Sequence, residues 1–187
     1  MDTVTIYDRA LSEFGRRVHA IGSDQWGDPT PCSEWSVRDL VNHLVSENLW
    51  AVPLLQGKKI EEVGDALSGD LLGDDPVRAW DDSAAQALAI ARRLDFLDRT
   101  VHLSYGDTTA QSYLQEMASD HVIHSWDLAR GIGADEAIAG DLLDFAYDFL
   151  MPAADEWRSA GVFGERVEIP EGADKQTQLL AATGRRV

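Results

Sequence analysis

Tyr7, Leu11, Phe14, Val18 and Ile21 stand at alternating intervals of four and three residues. Such a series forms one continuous face only on a helix, where about 3.6 residues make a turn. The same spacing returns in Val37, Leu40, Val41, Leu44 and Val52, and again in Val77, Trp80, Ala84, Ala87, Leu88, Ala91 and Leu94. A fourth stripe runs through Ala110, Tyr113, Leu114, Met117, His121, His124 and Leu128. Helices with one apolar side each must cover one another, so the chain is predicted to be an all-α four-helix bundle.

Local signals set the expected boundaries. Gly22 should close the first helix. Ser36 with Asp39 three residues on resembles a capping box, opening a second helix that runs to about Leu55. Residues 56–74 read as a long connection. Asp75 and Pro76 suit the N-cap and first position of a third helix. Residues 101–105 read as extended, ending at Gly106. A fourth helix is expected from near Thr109 to about Arg130, with Gly131 and Gly133 marking its end. Beyond it the sequence predicts a helical stretch over 138–150 interrupted at Pro152, an extended piece over 162–169 and a helical tail over 174–182. The whole of 1–187 is read as one domain.

Apolar residues make up 44% of the 187, enough to build a core despite a formal net charge of -17. So acidic a chain repels phosphates, which argues against nucleic acid and anionic membranes as partners. Cys32 is the single cysteine, so no intramolecular disulfide can form, and a lone cysteine in a loop is usually incidental. The first residues show no basic-then-apolar leader, and no apolar run reaches bilayer length. The expectation is a cytoplasmic protein, with monomer and homodimer both open.

Five histidines carry the chemical interest. His19 lies off its stripe and should face solvent, and His102 receives no role. His43 flanks the stripe of the second helix, with Glu47 one turn on. Asp120 and His124 are four residues apart, so they project from one face, toward the bundle interior. An interior carboxylate is costly unless it is paired or bound to a metal. Two imidazoles and one carboxylate suit a divalent transition metal with an open position. His121 competes, because its spacing to His124 also permits chelation. Spacing alone leaves Asp120 with His124 and His121 with His124 as near equals, and a plain Asp120–His124 hydrogen bond is a further alternative.

The stretch "TPCSEWSVRDLVNHLV" (30–45) resembles the first metal motif of the mycothiol-dependent maleylpyruvate isomerase family, part of the DinB-like superfamily. "DHVIHSWDLARGIG" (120–133) is similar to its second metal motif, and "LLAATGRR" (179–186) to the closing segment of a stand-alone actinobacterial subgroup. The resemblance implies a DinB-like four-helix bundle with an additional C-terminal helical and extended segment. It implies a divalent metal on His43, Asp120 and His124, zinc first and nickel or iron as alternatives, and so decides against His121. It gives no role to Trp126, and Asp127 is expected to tie the helix end to a neighbour. Characterised isomerases of the family carry a second domain that contributes to the active site. The chain closes at Val187 without room for one, so the isomerase's substrate is not carried over.

The resulting expectation is a metal- and thiol-dependent transferase or isomerase, using mycothiol against a small electrophile. A hydrolase is the variant in which water replaces the thiol, with Glu47 as candidate general base. Glu47 as a surface group or a partner of His43 is the simpler reading. The alternative from another class is a non-catalytic metal- or ligand-binding module, its site closed by a further ligand such as His121 or Glu47.

Overall fold

The computed structural model describes residues 1–95 and 97–187. Its main elements are helices α1 (Thr3–Val18), α2 (Val37–Leu55), the one-turn α3 (Ile60–Val63) and α4 (Pro76–Ala91). A hairpin, β1 (Thr100–Leu103) and β2 (Gly106–Thr109), leads into α5 (Ala110–Ile132). Helices α6 (Gly140–Leu150), α7 (Ala154–Ser159) and α8 (Lys175–Ala182) follow. In the bundle, α1 packs on α5 and α4, and α2 packs on α4 and α5. The four stripes read from the sequence thus close around one core, in which Tyr7, Phe14, Leu40, Leu44, Trp80, Leu114 and Leu128 are buried. Helix α6 lies against α5 and α1 and carries α8 on its other side.

Helix starts follow their caps. Asp2 accepts from the Thr5 amide, Asp75 from that of Arg78 and Thr109 from that of Ser112. At α2 the box is complete: Ser36 Oγ accepts from the Asp39 amide at 3.2 Å, and Asp39 Oδ2 from the Ser36 amide at 2.9 Å. Each cap satisfies backbone donors that have no partner inside the helix. Gly133, at φ +68°, closes α5.

The structure departs from the sequence reading in four places. Helix α1 stops at Val18 and α4 at Ala91. Ile21 and Leu94 still pack on the core, but from the turns that follow, which is why their spacing resembled helix. The connection over 56–74 contains α3 and a 3-10 turn at Gly64–Leu67. It is tied down by Asn42, which donates to the Gly69 carbonyl and accepts from the Leu71 amide. The extended 101–105 segment is one arm of a hairpin that continues past Gly106, pairing Val101 with Thr108 and His102 with Asp107. Residues 162–169 form no strand. One backbone bond, Val167 to Ala181, holds them near α8, and a strand needs a ladder. No helix among the described residues is long and apolar enough to cross a membrane.

Candidate metal centre

His43 projects from α2 toward α5, and its Nε2 lies 3.3 Å from Asp120 Oδ2. His124, one turn after Asp120 on α5, brings its own Nε2 to 3.3 Å from Asp120 Oδ1. The aspartate therefore sits between two imidazoles. All three donor atoms lie within 4.8 Å of one another. The Trp35 ring lies over both histidines, 4.9 Å from His43 and 5.9 Å from His124 between centroids.

A second carboxylate holds His124 from behind. Its Nδ1 lies 2.9 Å from Asp127 Oδ2, and a carboxylate can only accept, so Nδ1 carries the proton. Asp127 is fully buried. It accepts in turn from the Arg185 guanidinium, Nη2 to Oδ2 at 2.9 Å and Nε to Oδ1 at 3.3 Å. Arg185 arrives from the tail because α8 ends in a Schellman closure: the Gly184 amide donates to Ala181 and the Arg185 amide to Leu180. Gly184 stands at φ +87°, with Gly164 so near that a side chain there would meet its Cα at 2.9 Å.

The electrostatics follow the geometry. Burial works to raise the Asp120 carboxyl, but the charges and hydrogen bonds of His124 and His43 outweigh it and hold it well below the carboxylate range. Burial works to lower His124, yet the Asp120 charge, aided by hydrogen bonds to Asp120 and Asp127, holds it well above an ordinary histidine. Asp127 falls to about 2: burial opposes ionisation, and the His124 hydrogen bond and Arg185 charge win. Without a cation, a proton on the His124 imidazole helps hold this cluster together. A divalent ion exchanges for such a proton at the same nitrogens and carboxylate, so the donor set fits one. The hydrogen-bonded carboxylate behind His124 is also what orients an imidazole ligand.

His121 is placed elsewhere. It is fully buried, with Nδ1 2.6 Å from the Met117 carbonyl and its ring among those of Tyr7, Phe14 and Trp80. Burial lowers its pKa to about 4, against the pull of the Met117 carbonyl, so it is a neutral core residue. His19 is exposed beside Asp81, and His102 pairs with Asp107. Glu47 is neither a surface group nor a hydrogen-bond partner of His43. It is half-buried, forms no hydrogen bond among the described residues, and is pushed up by burial and then by the Asp120 charge. Trp126 is buried, with the Arg130 guanidinium 4.4 Å above its ring, and Asp127 does tie the helix to a neighbour.

Two residues at the site received no role from sequence reasoning, although the place of Cys32 just before the second helix already allowed it to lie near the site. Cys32 is not incidental: its Sγ lies 3.2 Å from Asp127 Oδ2 and 3.7 Å from His124 Nδ1. Arg185 lay within the quoted closing segment, but nothing in the sequence distinguishes it from Arg186.

Among the described residues, two cavities meet at the cluster and share His43, Glu116, Asp120 and Trp157 in their walls. One, of about 480 Å³, is completed by Cys32, Trp35, Ser119, Phe163 and Arg185. The other, of about 370 Å³, is completed by Glu47, Trp50, Tyr105, Tyr113 and Met117.

A family model for the mycothiol maleylpyruvate isomerase N-terminal domain matches residues 7–129, a span that includes His43, Asp120 and His124. An uncharacterized protein of Mycobacterium tuberculosis, found in two strains, is 29% identical over 196 residues, covering 100% of both chains. A crystal structure of a mycothiol-dependent maleylpyruvate isomerase superimposes with a TM-score of 0.63 at 20% identity, over 88% of this chain and 72% of that one. A mutant of such an isomerase gives a TM-score of 0.66 at 18% identity with the same coverage. At these identities the likeness speaks for the fold.

Proposed function

The chain belongs to the mycothiol maleylpyruvate isomerase N-terminal domain family, and from that premise we propose that His43, Asp120 and His124 hold one divalent ion, zinc foremost, where a low-molecular-weight thiol such as mycothiol is used against a small electrophile. One observation carries the proposal: two imidazole nitrogens and a carboxylate converge within 4.8 Å at the wall between two cavities. When bound, the ion supplies positive charge that favours a thiolate over a thiol at neutral pH.

The chain's own residues do the rest. Asp127, fixed by Arg185, keeps the His124 ring turned so that Nε2 faces Asp120. Trp35 packs against both imidazoles on one side. The larger cavity, at about 480 Å³, has room for a thiol co-substrate. Names of the solved neighbours support mycothiol as that thiol.

Thiol addition to a polarised carbon–carbon double bond forms a C–S bond, breaks the π bond and delivers the thiol proton to carbon. Elimination reverses both changes and leaves an isomerised substrate, whereas a retained adduct is a transferase product. The Glu47 carboxyl, raised by burial, is placed in the smaller cavity to hold or return that proton.

Calorimetric titration of the metal-loaded protein with mycothiol tests the reading. Binding is expected to favour the thiol over its S-methylated form and to vanish when the metal is removed. Equal affinity for both forms, or no binding at millimolar thiol, overturns it.

A further inference from the structure

His124 has a carboxylate at each ring nitrogen. Asp120 Oδ1 lies 3.3 Å from Nε2, and Asp127 Oδ2 lies 2.9 Å from Nδ1. The Nε2 side is the centre described above. On the Nδ1 side stands Cys32, whose Sγ is 3.7 Å from Nδ1 and donates to Asp127 Oδ2 at 3.2 Å. One sulfur, one imidazole nitrogen and one carboxylate oxygen thus lie within 4.8 Å of one another, and neither His43 nor Asp120 belongs to this group. Cys32 and His124 both line the larger cavity, so an ion can reach the pair from there.

The edges of this triangle suit a metal. A zinc-sized tetrahedral ion, with bonds of about 2.3 Å to sulfur and about 2.0–2.1 Å to nitrogen and oxygen, holds its donors about 3.3–3.6 Å apart. The edges here are 3.7, 3.2 and 2.9 Å. They reach that range with shifts of under about half an ångström. A larger ion needs them slightly wider, and Cys32, on the loop before α2 and facing the cavity, can supply that movement. Binding releases the Cys32 thiol proton and the Nδ1 proton, so two protons leave for two positive charges. Asp127 Oδ2 accepts from Sγ, Nδ1 and Arg185 Nη2, and the first two bonds give way to the ion. Arg185 stays, with its Nε on Asp127 Oδ1 at 3.3 Å.

We propose that Cys32, His124 and Asp127 form a second metal position, selective for a divalent ion softer than zinc, and that it excludes the ion on His43, Asp120 and His124. Selectivity follows from the donors. A thiolate favours a soft cation, whereas two imidazoles and a carboxylate suit zinc. Exclusion follows from the shared imidazole. A neutral ring offers one lone pair and carries its proton on the other nitrogen. With an ion on Nε2, the proton sits on Nδ1 and is donated to Asp127. With an ion on Nδ1, it sits on Nε2 and is donated to Asp120. One histidine serves either position, never both at once. The second position rests on its own geometry; the exclusion rests on the metal-bound reading of His43, Asp120 and His124.

Cadmium is the probe, because its bond to a thiolate absorbs in the ultraviolet and Cys32 is the only cysteine in the sequence. The metal-free full chain, titrated with cadmium in buffer without added thiol, should develop the thiolate-to-cadmium band with about one ion per chain. On zinc-loaded protein the band should grow as zinc is released, ion for ion. Cys32→Ser should lose the band, still hold zinc, and need at least about tenfold more cadmium to release it. His43→Ala should lose zinc and keep the band. No band in the wild-type chain, or a band that disappears with His43→Ala, overturns the second position. A full band with zinc retained overturns the exclusion. If the wild-type chain holds no zinc while it and His43→Ala both give the band, the zinc centre falls and the second position stands.

Discussion

Asp127 acts on the candidate centre through another residue. Its charge holds the Nδ1 proton of His124 and is itself held by Arg185. Asp127→Asn should lower zinc affinity about 10- to 100-fold, the usual effect of losing an orienting carboxylate. It should also destabilise the fold by about 3 kcal/mol, because Arg185 loses its buried charge partner. Adding Arg185→Gln should restore much of the stability but not the affinity. If one change restores both, Asp127 is only a structural ion-pair member. His121 makes the opposite case. Its ring fills space between Tyr7, Phe14 and Trp80, so His121→Ala should cost about 2–4 kcal/mol in chemical denaturation. Zinc affinity should stay within a few-fold. The spacing of His121, three residues from His124, could not separate these roles. Only the packing of α1 against α5, with the Trp80 ring of α4 reaching His121, shows that His121 turns toward the core while Asp120 turns toward α2.

Elements carry the site because their ends are well specified. The caps at Ser36, Asp75 and Thr109 were legible because capping is local chemistry, complete within four residues. The four bundle stripes were legible for the same reason, since 3.6-residue periodicity belongs to each helix alone. The second hairpin strand was not, because Gly106, Asp107, Thr108 and Thr109 carry no apolar alternation and pair only through the backbone. Arg185 was hidden because its role depends on where α8 ends. Gly184 sets that end: its positive φ and its closeness to Gly164 aim Arg185 at Asp127. Gly184→Ala should therefore cost about 1–3 kcal/mol of stability. It should also weaken zinc binding, although residue 184 touches none of the three candidate ligands. Unchanged zinc affinity in a measurably destabilised variant would separate the tail from the centre.

At the scale of the whole molecule, the centre draws on distant parts of the chain. His43 comes from α2, Asp120 and His124 from α5, Cys32 and Trp35 from the loop before α2, and Arg185 from the tail. Bundle packing brings α2 and α5 together, and the cavities open on either side of the resulting cluster. The net charge of -17 is a property of the surface at large, whereas the centre gathers imidazoles around one carboxylate. The central claim is that this cluster holds a metal. Its most direct test is elemental analysis of protein purified without chelator or polyhistidine tag, alongside His43→Ala, Asp120→Ala and His124→Ala. The wild-type chain should retain about one divalent ion, and each substitution should remove most of it. Metal content unchanged by the His43 and His124 substitutions would contradict the account.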